Sequence, residues 1–102
     1  MEDLKTKLTD LVIIAVRKIV AETNAANPSD IVFNTPLYGK SGVLDSLGLV
    51  QLIADTEEEV YLLTGKQITI ADEKAMSAKI SPFRSVASLV DYICILLKGA
   101  EG

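Results

Sequence analysis

The chain contains no histidine and no tryptophan, and only one cysteine, two phenylalanines and three tyrosines. Without histidine, neither a Ser-His-Asp nor a Cys-His catalytic arrangement can be built. Zinc sites made from His and Cys fall to the same shortage. The lone Cys94, set in the apolar run Tyr92 to Leu97, reads as a small buried hydrophobe rather than a reactive thiol. A single cysteine also excludes an intramolecular disulfide and suits a reducing compartment. With so few aromatics, the core has to come from Leu, Ile, Val and Ala, a composition suited to packed helices.

Basic clusters and long apolar runs are missing too. Ten basic residues against 14 acidic ones give a net charge of −4, without the basic face that a nucleic-acid binder presents. Such a chain is better matched to basic patches on protein partners. The most apolar stretch, Leu11 to Val20, is broken by Arg17-Lys18 and falls far short of the roughly 20 residues of a membrane span. Glu2, Asp3 and Asp10 stand where a signal peptide would carry its basic and apolar regions. The expectation is a soluble, cytoplasmic monomer. Gly39-Lys40-Ser41-Gly42 holds only the tail of a phosphate-binding glycine loop, without the upstream glycine.

What is present is helical periodicity. The 102 residues, 49% of them apolar, fit one domain over 1–102. Leu4, Leu8, Leu11, Val12, Ala15 and Ile19 recur at three- and four-residue steps and predict a long first helix. It should fray near Thr23-Asn24 and be closed off by Asn27-Pro28. A loop from about Pro28 to Leu44 follows, expected to be tacked onto the bundle by Ile31, Val32, Phe33, Leu37 and Tyr38. Asp45 is a helix cap whose carboxylate can take the free N–H groups of Leu47 or Gly48. Leu49, Ile53, Thr56, Val60 and Leu63 form the expected inward stripe of the second helix, and Gly65 is its stop. Gln67 to Ile70 alternates, too isolated to make a sheet. Asp72 should cap a short third helix carrying Met76 and Ile80 and ended by Pro82. Ser85 should cap the last helix, whose inward face is Val86, Leu89, Val90, Ile93 and Leu97. The expected fold is all-α, a small four-helix bundle of three long helices and one short, with a long loop between the first two.

The segment Gly42-Val43-Leu44-Asp45-Ser46-Leu47-Gly48-Leu49-Val50 resembles the attachment site of the acyl carrier protein family, where an Asp-Ser-Leu triplet opens the second helix. The resemblance runs through nearly the whole chain: a first helix, a long loop, the triplet, an acidic second helix, and Ser81 to Ile93 as the start of the last one. It implies that a phosphopantetheinyl transferase links 4′-phosphopantetheine to Ser46 as a phosphodiester, with Asp45 and Leu47 flanking the site. It further implies a carrier rather than an enzyme, served by an acyl-loading ligase and by acyl-processing or acyl-transfer enzymes. Ser46 has a physical rationale of its own: at the first helical position its hydroxyl projects from the bundle, and a phosphodiester there meets the positive end of the helix dipole.

Between Lys40 and Lys66 the chain has five acids and no base. Asp55, Glu57, Glu58 and Glu59 are expected on one exposed face, where with Val50 they would meet basic partner enzymes. The competing reading of such a run is a solvated surface. The sequence departs from the family pattern at Gly48, Gln51 and Thr56 and in a longer stretch from Tyr61 to Gln67, which favours a specialised pathway over central fatty-acid synthesis. Alternatives are an aminoacyl or D-alanyl carrier using the same serine, and an unmodified helical interaction module.

Overall fold

In a computed structural model the described residues are 4–39, 42–70 and 82–101, excluding the side chains of Ala100 and Glu101. Among them lie three α-helices and no strand: α1 (Leu4–Thr23), α2 (Ser46–Thr64) and α3 (Val86–Glu101). The short helix expected after Asp72 lies outside the described residues.

The first helix follows its apolar spacing. Leu8, Val12, Ala15, Val16, Ile19 and Val20 are buried. Asn24, in the left-handed region at φ 57°, ends the helix where fraying is expected. Asn27 Oδ1 accepts from Ser29 N and Oγ, capping a single 3-10 turn at Pro28–Asp30. Helix α1 is the central element, packing against both α2 and α3. The Cα atoms of α2 and α3 do not come within 8 Å of each other. The shared core is completed from outside the helices by Ile31, Leu37, Leu44, Ile68, Ile70 and Phe83.

The long loop is anchored more selectively than its apolar residues suggest. Ile31 and Leu37 are buried, but Val32, Phe33 and Tyr38 are exposed. Thr35 explains the difference. Its Oγ1 accepts from Val32 N at 2.8 Å and its N–H donates to Val32 O, so residues 32–34 form an outward tip. The same tip serves α3: Val86 N donates to Thr35 O and Ala87 N to Phe33 O. These loop carbonyls satisfy helix-start donors that otherwise lack partners. Ser85 adds the expected cap, Ser88 N donating to its Oγ while Ser85 N donates back to Ser88 Oγ. The predicted inward face of α3 is buried at all five positions.

In α2 the predicted stripe holds at Leu49, Thr56 and Val60 and fails at Ile53 and Leu63. Gly48, Leu49, Leu52, Thr56 and Val60 face inward. Ile53 is only half-buried and Leu63 is exposed, while Leu52 is fully enclosed. Apolar residues occur all around this helix, so periodicity alone could not choose between adjacent positions. Gly65, at φ 75°, donates its N–H to Tyr61 O at 2.8 Å and ends α2 as predicted. Beyond it, Ile68 and Ile70 are buried and Gln67 and Thr69 exposed, so the alternation predicted for this segment is present without a strand. Cys94 is half-buried against the core.

Candidate functional site

Asp45 sets the geometry of the site. Its backbone is extended (φ −86°, ψ −176°), and its Oδ1 accepts from Gly48 N at 2.7 Å while its carbonyl accepts from Leu49 N at 2.9 Å. The helix therefore begins at Ser46, as the cap predicts. Gly48 is the residue whose amide the carboxylate holds. A Cβ there would lie 3.3 Å from Asp45 Oδ1 and 3.4 Å from Leu44 Cδ2, so the glycine that departs from the family pattern makes room for the cap.

Ser46 is exposed, and so are its apolar flanks, Leu47 at 79% and Val50 at 63%. The structure thus brings Asp45, Ser46, Leu47 and Val50 together around one end of α2. A further residue joins them: the Tyr38 hydroxyl lies 3.0 Å from Ser46 Oγ, and either oxygen can donate. Tyr38 is held from its backbone. Leu37 N donates to Arg84 O and Tyr38 N to Phe83 O, forming a clip around the Pro36–Ser85 bridge. On the other side of the clip, Val43 N donates to Pro36 O and Leu44 N to Leu37 O. Gly42 permits that approach, since a Cβ on it would fall 2.5 Å from Leu37 O. The sequence pattern carried no signal for this contact, because Tyr38 is positioned by partners about 45 residues away.

The acids do not share one face. At about 100° per residue, Glu57 and Glu59 point about 160° apart around the helix. Asp55, Glu58 and Glu59 line an open groove between α1 and α2. Asp55 also accepts from Gln51 Nε2 at 2.8 Å. Glu57 turns to the other side, where its Oε2 accepts from Ile70 N at 2.7 Å. Its carboxylate fastens the segment after α2 and is committed to the fold.

The arrangement offers a solvent-facing hydroxyl at the positive end of a helix. Gly48 N and Leu49 N are engaged by Asp45, whereas the amides of Ser46 and Leu47 head the helix ahead of its first internal bonds. A phosphodiester on Ser46 Oγ would meet these amides and the Tyr38 hydroxyl, so the residues present fit such a group. A second, smaller cavity of about 340 Å³ lies beside the cap, bounded by Ile19, Thr23, Val43, Leu44 and Gly48. Among the described residues, no helix is long and apolar enough to cross a membrane. Comparison with protein-family models, curated proteins and solved structures finds no match for this chain.

Proposed function

We propose that this chain is an acyl carrier protein, holding acyl groups as thioesters on a 4′-phosphopantetheine arm attached to Ser46. The observation that carries the reading is a capped, solvent-facing serine at the first position of α2, in the triplet that resembles the family's attachment site. Ser46 needs no activating base within the chain, because a transferase brings the chemistry and the chain supplies an accessible hydroxyl. The arm's terminal thiol would carry the cargo, and Ser46, Leu47 and Tyr38 would hold its phosphate end. Leu47 and Val50 offer apolar contacts beside the arm to the transferase, to a loading ligase and to acyl-processing enzymes. A specialised lipid, polyketide or other acyl-modification pathway suits the departures at Gln51 and Thr56. The reading includes the short helix that the sequence predicts after Asp72, which would make a four-helix bundle.

Intact-mass measurement after coexpression with a phosphopantetheinyl transferase tests this directly. Wild type should gain one arm and Ser46→Ala none. An arm on the alanine variant would overturn the site. An unmodified wild type would leave an interaction module in place of a carrier.

A further inference from the structure

A concavity larger than the one beside the cap lies away from Ser46. It is an open groove of about 700 Å³ between α1 and α2. Ile14 and Leu62, 65% and 70% exposed, stand in it with Leu11 and Leu63. Large apolar side chains left this open and adjacent are a mark of an interaction surface.

The net charges on the two sides are of opposite sign. Lys7 and Lys18 come from α1, about 16 Å apart along the helix, with Asp10 between them. Asp55, Glu58 and Glu59 come from α2. Among the described residues no salt bridge crosses the groove; the pair that does form, Lys5–Asp91 at 3.2 Å, joins α1 to α3. One wall thus carries a net positive charge and the other a net negative one, with an exposed apolar floor between them.

A surface of this kind is complementary to itself. A two-fold axis lying along the groove sets the α1 wall of one copy over the α2 wall of the other, lysines facing carboxylates and Ile14 meeting Leu62. An axis across the groove would instead set like charges together. Closed pairs of identical chains need this property, each contact occurring twice by symmetry. We infer that the α1–α2 groove is a homodimer interface, occupied by the same groove of a second copy in the charge-crossed orientation. The monomer expected from the sequence is then the dilute, high-salt form. The inference does not depend on Ser46 or on any modification of it.

Sedimentation equilibrium of the full chain at low salt, from micromolar to millimolar concentration, provides the test. The mass should rise from 11.0 kDa towards twice that value, and added salt should reverse the rise. Ile14→Asp, at an exposed position, should weaken association at least tenfold while circular dichroism shows an intact fold. Two charge variants decide the orientation. Lys7→Glu with Lys18→Glu gives two acidic walls, and Glu58→Lys with Glu59→Lys gives two predominantly basic ones. Each should stay monomeric alone, and an equal mixture should restore dimers. A constant 11.0 kDa mass for wild type would overturn the inference. So would association that survives Ile14→Asp, or a mixture that fails to pair; the latter would assign the groove to a different protein.

Discussion

Thr56 lies in the core with its side chain fully enclosed, and among the described residues its Oγ1 has no hydrogen-bond partner. Other helical threonines behave differently: Thr9, Thr23 and Thr64 each donate to the carbonyl four residues earlier, at 2.8–3.0 Å. Thr56→Val replaces the hydroxyl with a methyl of similar size. Relieving a buried, unsatisfied hydroxyl is worth about 1–3 kcal/mol. Valine and threonine have similar helix propensities, so the backbone contributes little. Imperfect fit of the new methyl can take back up to about 1 kcal/mol. The expected net is about 1–2 kcal/mol of added stability, with the melting temperature rising about 4–8 °C for each kcal/mol. Urea titration should show a higher midpoint at unchanged slope. Thr64→Val, which breaks a back-bond, should show no such gain. A loss of more than about 1 kcal/mol in Thr56→Val would mean that the hydroxyl is satisfied in solution, and the reasoning would fail.

Leu52→Ala should cost about 2–5 kcal/mol through lost burial and a cavity, and the half-buried Ile53→Ala distinctly less; the reverse order in denaturant titrations would mean that α2 is rotated by about 100°. Glu57→Ala should cost about 1–3 kcal/mol and speed hydrogen exchange at the Ile70 amide, whereas Glu58→Ala should stay within about 0.5 kcal/mol. Equal effects at the two glutamates would show that the Glu57–Ile70 bond contributes nothing. Asp45→Ala should lose about 0.5–2 kcal/mol with its cap, measured by thermal unfolding, and an unchanged midpoint would remove the cap from the account of how Ser46 is placed.

Signals that act over three or four residues were legible in the sequence. The end of α1 near Asn24, the Asp45 cap, the Gly65 stop and the buried stripe of α3 all depend on neighbours within a turn or two. The choice between Leu52 and Ile53 in α2 was not, because both are apolar neighbours beside the inward stripe, and only the position of the surrounding elements decides which is covered. The loop divided for a similar reason. Ile31 and Val32 are adjacent and equally apolar, but the Thr35 hydroxyl turns the chain between them. Glu57 looked like its neighbours in an acidic run. It is distinguished by a backbone amide 13 residues further on, a separation that no local pattern reports.

The clip around the Pro36–Ser85 bridge bears on the order in which the serine acquires its surroundings. The Asp45 cap closes over three residues and can form as soon as α2 does. The bonds from Thr35 to Val86 and from Tyr38 to Phe83 close loops of about 50 residues, at a correspondingly larger entropic cost. During folding, the cap can therefore be in place before residues 83–86 reach the loop. The serine is thus framed in two stages, first by its own helix and later by a tyrosine that waits for residues 83 and 84. With the clip open, Ser46 would be capped but unclasped.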